Sequence, residues 1–196
     1  MRDTFHQHEH KDLTETRVSG ETIFDGKLLR VRRDVVRLPN GSEATREYVE
    51  HMGAVAVIAL LDSGELIMER QYRYPLGTDL LELPAGKIDR GESALDSAQR
   101  ELREETGYVA DSWRYITTIH PLCAYSTERI ELWLARGLRH EGRALDDGEF
   151  LETFPLRVSD GLAWVRDGRI SDAKTIIGIL WAEKVLCGAW QEPASP

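Results

Sequence analysis

The stretch that decides the fold runs from Gly86 to Tyr108 and reads GKIDRGESALDSAQRELREETGY. From Glu92 to Thr106 its apolar residues recur at helical spacing. Ser93 stands where an N-cap belongs, Asp96 follows three residues on, and Gly107 supplies the stop. At about 100° per residue, Ala94, Leu95, Ala98 and Leu102 form the apolar face, while Glu101, Glu104 and Glu105 crowd an arc that overlaps its edge. A solvated face would set its acids opposite the apolar stripe and intersperse bases among them, because like charges three and four residues apart repel. Acids concentrated and turned partly inward call for a divalent cation, and carboxylate oxygens are the donors that magnesium or manganese prefers.

The spacing of the whole stretch is more specific than its helix. It runs Gly86, five residues, Glu92, seven residues, Arg100-Glu101, an aliphatic, any residue, Glu104-Glu105, any residue, Gly107. Seven fixed residues at ordinary usage would coincide about once in 10⁸ to 10⁹ windows. Glu92 is placed to pair with Arg100 and fix the loop against the helix, and Gly86 and Gly107 permit the turns that frame it. This stretch resembles the signature box of the Nudix hydrolase family, with Tyr108 at the usual terminal aliphatic position. The resemblance implies a Nudix fold of the α/β (α+β) class, a mixed β-sheet sandwiched between helices. It implies Mg2+ (or Mn2+) held by Glu101, Glu104 and Glu105, with the backbone carbonyl of Ala85 joining the ligands, and Gly86, Glu92, Arg100 and Gly107 as structural members of the box.

Working outward, Thr22 to Asp25, Leu28 to Leu38 and Glu43 to His51 read as an antiparallel N-terminal sheet. Asn40-Gly41 serves as its hairpin turn, since both residues tolerate positive φ. Val55 to Leu61, apolar enough to be buried on both faces, and Glu65 to Tyr74 read as a sheet centre. Strands are expected at Trp113 to Ile119, Arg129 to Ala135 and Phe150 to Leu156, and helices at Ser159 to Arg166 and Ser171 to Ala189. The last helix carries a core stripe of Ile176, Ile177, Leu180, Trp181, Val185 and Leu186. The domain reading is a frayed terminus over 1–18, the N-terminal sheet over 19–51, the Nudix hydrolase domain over 52–190 and a tail over 191–196.

The flanks narrow the family resemblance. Arg70-Gln71-Tyr72-Arg73-Tyr74-Pro75, Leu81-Glu82-Leu83-Pro84-Ala85-Gly86-Lys87, the N-terminal sheet and Asp172-Ala173-Lys174-Thr175 are similar to the ADP-ribose pyrophosphatase branch. That branch implies a homodimer with exchanged N-terminal strands, used in dimerisation, and a cleft across the interface. It also implies hydrolysis of a nucleoside diphosphate sugar, ADP-ribose first, to AMP and ribose 5-phosphate. One departure bears on specificity: Cys123 stands where the branch usually carries a proline, although Tyr125-Ser126-Thr127-Glu128 still resembles its substrate loop. In the branch, the base or a further ligand comes from an acidic loop after the box. That loop is Asp146-Asp147-Gly148-Glu149 here, which makes Glu149 the first candidate, Asp147 the second, and the box's own Glu104 the remaining one. Arg46, Arg73 and Glu128 are the substrate-contact candidates, because an arginine fork matches phosphate oxygens and a carboxylate accepts from two ribose hydroxyls.

Composition agrees with these assignments. The chain of 196 residues holds 25 basic and 34 acidic side chains, a net charge of −9, with no long basic run to neutralise a nucleic acid backbone. Acidic protein acting on phosphates must recruit its positive charge as a metal ion. The mean hydropathy of −0.40 and the lack of an apolar run of spanning length point away from the membrane. Two cysteines, Cys123 and Cys187, sit outside any CxxC pattern, which fits a reducing cytoplasm. His6, His8 and His10 read as part of a polar terminus. Two rival readings remain open. One is hydrolysis of another nucleoside diphosphate derivative such as GDP-mannose; the other is a non-catalytic nucleotide-sensing domain.

Overall fold

A computed structural model describes residues 12–143, 145, 148 and 150–192. The chain divides into two compact units, Met1–His51 with Ala124–Thr127, and Met52–Cys123 with Glu128–Pro196.

The first unit is an antiparallel sheet in the order β1 (Thr16–Asp25), β2 (Arg30–Arg37), β3 (Glu43–Glu50). β1 begins at Thr16, so residues 16–18 belong to a strand and not to a frayed terminus, with Thr16 and Arg17 paired to β2 and Val18 at a bulge, while residues 1–11 lie outside the described residues. The sequence hides this because every β1 side chain is exposed, leaving no apolar alternation to read. Polar cross-strand contacts hold the strand instead: buried Asp34 on β2 accepts from Arg17 Nε at 2.9 Å and from the Tyr48 hydroxyl at 3.1 Å. The β2–β3 turn is also longer than a two-residue Asn-Gly turn. Leu38 N–H donates to Ser42 O and Gly41 N–H to Leu38 O, both at 2.8 Å, and only Gly41 takes positive φ, at 85°. This is a three-residue loop with glycine at its left-handed position. Ala124–Thr127 lines the outer edge of β3, where Val49 N–H donates to Tyr125 O at 2.9 Å and Thr127 N–H to Val49 O at 3.0 Å.

In the second unit β4 (Ala54–Ala59) is buried along its whole length. It pairs in parallel with β9 (Ile130–His140) and antiparallel with β7 (Ala85–Lys87), and β8 (Tyr108–Ile119) completes a mixed sheet in the order β7-β4-β9-β8. A second, antiparallel sheet runs β10 (Leu151–Arg157), β5 (Glu65–Arg73), β6 (Thr78–Glu82). α1 (Ala94–Thr106) packs Ala98 and Leu102 against Val55, Val57 and Ala59 on one face of β4. α2 (Val158–Arg166) and α3 (Ala173–Leu186) contribute to the opposite core, with Ala56, Ile58, Leu66, Met68 and Leu83. The mixed sheet is therefore covered by helices on both faces, and among the described residues no helix is long and apolar enough to cross a membrane.

Two strands escaped the sequence reading. β6 and β7 are five and three residues long, separated by Leu83-Pro84, too short to show a period. The stripe of α3 also differs. Lys174, Thr175, Gly178, Ile179 and Ala182 are its buried residues, Ile176, Ile177 and Trp181 flank them, and Leu180 and Leu186 are exposed. The helix is apolar nearly all round, so hydropathy cannot choose a face; backbone proximity does. A Cβ at Gly178 would overlap the Leu83 side chain, which makes glycine the residue that lets α3 approach the sheet.

Candidate active site

The site grows from the junction of α1 with the short strand β7. Ser93 caps α1 by accepting the Asp96 N–H at 3.1 Å, and Gly107 ends it at φ 77° with its N–H on Arg103 O. Tyr108 leaves the helix to start β8, packs partly into the α1-side core, and meets His140 edge to face at 5.1 Å. Between these ends, Glu105 is turned inward and 4% exposed, and its carboxylate accepts the Ala85 N–H at 3.0 Å. Glu101 lies against Gly86, where any Cβ would overlap its carboxylate. The helix thus meets β7 through two acids, and Gly86 is the cradle for one of them.

Arg100 organises the others. Its Nε and Nη2 grip both oxygens of Glu92 at 3.1 and 3.0 Å, and Nη2 also reaches the Lys87 carbonyl at 3.2 Å. Nη1 donates to Glu101 at 2.8 Å and to Glu104 at 3.1 Å. The Arg100 hydrogen bonds, with a further one from the Ser97 hydroxyl, hold the Glu92 carboxyl down at about 2. Arg100 is raised in turn, first by Glu92 and against the effect of burial.

Among the described residues no three acidic, imidazole or thiol groups already stand as a metal-ligating cluster; Glu101 and Glu104 share the Arg100 guanidinium instead. The donor set nevertheless fits a hard divalent ion. One guanidinium faces the carboxylates of Glu92, Glu101 and Glu104, with Glu105 on the same helix arc, and oxygen donors of this kind suit magnesium or manganese.

Beside this corner lies a second cluster, built on the expected Arg73 and on Glu82 and Lys174, to which the sequence assigned no role. Arg73 at the end of β5 donates from Nε and Nη2 to the two oxygens of Glu82 at 2.6 and 2.9 Å. Lys174 of α3 donates to the same carboxylate. Burial would raise the Glu82 pKa, but the Arg73 hydrogen bond and the Lys174 charge outweigh it and the net shift is downward. Arg73 is shifted up, chiefly by its bond to Glu82, with smaller contributions from Glu105 and Asp172. Glu82 and Glu69 are opposed partners across β5 and β6, both buried. Like charges directly opposite in a sheet are destabilising. The signal was therefore present in the sequence as single acids inside apolar strands, in LIMERQYR and LLELPAG.

The remaining predicted residues belong to other elements. Arg46 lies on β3 in the first unit, its guanidinium bound to Glu15 at 2.9 and 2.5 Å. Glu128 is half-buried in the second unit, just before β9. Glu152, which was not among those candidates, pairs with Arg70 across β5 and β10. Glu149 and Asp147 lie outside the described residues.

Comparison with known proteins adds an independent line. Residues 50–173 match the family described as NUDIX domain, and residues 15–49 match the nucleoside diphosphate sugar hydrolase N-terminal domain. A Bacillus subtilis (strain 168) protein named ADP-ribose pyrophosphatase is 39% identical over 175 residues, covering 88% of this chain and 95% of its own. An ADP-ribose pyrophosphatase of Mycobacterium tuberculosis is 38% identical over 176 residues, 87% of this chain and 84% of that protein. A Bacillus methanolicus protein named methanol dehydrogenase activator is 37% identical over 171 residues, 86% and 92% of the two chains. In three dimensions a crystal structure of an ADP compounds hydrolase superposes with a TM-score of 0.81, at 23% identity over 92% of this chain and 98% of that one, which makes the two folds alike.

Proposed function

This chain belongs to the Nudix hydrolase family, and from that premise we propose that it hydrolyses the pyrophosphate bond of a nucleoside diphosphate sugar, with ADP-ribose giving AMP and ribose 5-phosphate. The observation that carries the proposal is the docking of α1 on β7, which sets Glu101 against Gly86 and Glu105 on the Ala85 N–H. A sensing domain would have no need of so many acids on one arc.

The Nudix family is divalent-metal dependent, and magnesium, with manganese as the alternative, is the cation proposed here. Bound at Glu101, Glu104, Glu105 and the Ala85 carbonyl, it would supply the charge neutralisation that diphosphate oxygens need. The protein's own groups do the rest. Arg73 offers a planar fork to a phosphate, Glu128 accepts from ribose hydroxyls, and Arg46 serves the substrate from the N-terminal sheet. Glu149 takes the proton of the attacking water, with Asp147 second and Glu104 third in order. If so, Glu149→Gln lowers kcat by roughly 10² to 10⁴ with little change in KM, and Asp147→Asn is the matched control. Should both be silent, the proton passes to a box glutamate.

A homodimer with exchanged N-terminal strands is part of the same reading. The exposed Val18, Ile23, Phe24, Leu28 and Leu29 give the N-terminal segment an apolar surface suited to a second copy. Cys123 and Cys187, both unpaired, suit a reducing cytoplasm.

The deciding experiment incubates the purified protein and magnesium with a panel of ADP-ribose, GDP-mannose and other sugar nucleotides, and follows the released nucleoside monophosphate. AMP from ADP-ribose is the expected result. Preference for another derivative would give weight to Cys123 as a mark of altered specificity, and no product from any of them would overturn the proposal.

A further inference from the structure

Glu82 ends β6 with 3% of its surface exposed, a position an ionised carboxylate tolerates only with its charge balanced. Two cations contact it, and they are held differently. Arg73 gives it a two-point fork, yet 40% of the Arg73 side chain remains open to solvent. Lys174 is itself 9% exposed, and its ammonium also donates to Asp172 at 3.1 Å. Asp172 in turn caps α3, accepting the Thr175 N–H at 3.0 Å and the Thr175 hydroxyl at 2.6 Å. Thr175 Oγ1 accepts the N–H of Leu83, the residue after Glu82, at 2.9 Å. The ammonium is therefore held by two carboxylates, one of them anchored to α3, whereas both guanidinium hydrogen bonds go to Glu82.

Helix stability does not explain Lys174. A cation in the first turn stands at the unfavourable end of the helix dipole, and burying a lysine adds a desolvation cost. Both costs fall on the residue that gives Glu82 a second partner.

We infer that Lys174 is a positioning residue, a standing counter-ion for Glu82 that lets Arg73 turn its guanidinium to a diphosphate without leaving a buried carboxylate unpaired. Lys174 acts through Glu82 and Arg73 and does not itself need to reach the substrate. The inference rests on the proposed hydrolase function only for the source of the diphosphate.

The test uses the full chain with magnesium and methylenediphosphonate, whose binding is measured by calorimetry, alongside KM and kcat for ADP-ribose. Lys174→Met should weaken binding of the probe and raise KM by about tenfold or more, with kcat changed less than about threefold, and Lys174→Arg should restore most of the loss. Glu82→Gln/Lys174→Met is the discriminating variant. An amide needs no counter-ion, so the double variant should bind the probe more tightly than Lys174→Met alone, and it keeps the test open if the single variant does not fold. Unchanged binding in Lys174→Met would overturn the inference, as would a double variant no better than the single one. Failure of the unaltered protein to bind the probe would also overturn it. Protein that binds the probe yet releases no AMP from ADP-ribose would instead count against the hydrolase reading and leave this inference standing.

Discussion

Arg100 and Arg73 are both forks closed on a glutamate, yet the two are built for different work. Arg100 has all three nitrogens engaged: Nε and Nη2 on Glu92, Nη2 also on the Lys87 carbonyl, and Nη1 on Glu101 and Glu104. Arg73 gives Nε and Nη2 to one carboxylate and stays two-fifths exposed, with Lys174 holding that carboxylate as well. A guanidinium has five donors in one plane. Committing them on every side makes a fastener; committing one edge leaves a group that can receive an oxyanion. What surrounds the arginine decides its role, and the two surroundings predict different failures on mutation.

The largest effect is expected where the fastened acids serve the cation. Glu105→Gln should cut turnover by about 10³-fold or more at saturating magnesium. Its melting temperature should stay close to the original, because the amide oxygen still accepts from Ala85 N–H. Turnover within tenfold of the unaltered enzyme would remove Glu105 from the metal set. On the receiving side, Arg73→Ala should raise KM by about 10- to 100-fold with a smaller change in kcat. If Arg73 were a fastener like Arg100, the melting temperature would fall and KM would hold. Gly86→Ala probes the cradle itself. The added methyl would overlap the Glu101 carboxylate, so we expect about a tenfold loss of kcat and a higher magnesium requirement. Unaltered magnesium dependence would show that Glu101 can shift without consequence.

These two regions were not equally legible in the sequence. The Arg100 corner is local: Glu92, Arg100, Glu101, Glu104 and Glu105 fall within one helix and the loop before it, so spacing alone places them together. The Arg73 cluster is assembled from the ends of β5 and β6 and the start of α3, and its Lys174–Glu82 contact spans 92 residues of chain. No periodicity reports such a meeting. The same contrast runs through the fold. β4 declared itself by an unbroken apolar run, whereas β1 is exposed throughout and begins six residues before the reading placed it, held by contacts such as Arg17 with Asp34. On α3 the apolar stripe read from hydropathy is only half of the observed face: Ile176, Ile177 and Trp181 pack against the core while Leu180 and Leu186 are exposed, because Gly178 carries no hydropathy signal and sets the approach by its size.

The smallest effect tests the fastener as a charge and not merely a shape. Glu92 takes two Arg100 hydrogen bonds and one from Ser97, which together hold its carboxyl at about 2, against 4.5 for an ordinary glutamate. A depressed native pKa means that between these two values the unfolded chain binds more protons than the folded one. The contribution is therefore fully present above about pH 4.5 and is lost as the pH falls toward about 2. Glu92→Gln, which keeps the shape and removes the charge, should lower stability by about 1 kcal/mol near neutral pH, discounted for a site partly open to solvent. Urea unfolding of the two proteins should show that gap narrowing through the acid window until the curves meet. A gap that persists unchanged at about pH 3 would mean that Glu92 holds the loop by packing and hydrogen-bond geometry, and that the Arg100 charge is spent on Glu101 and Glu104 instead.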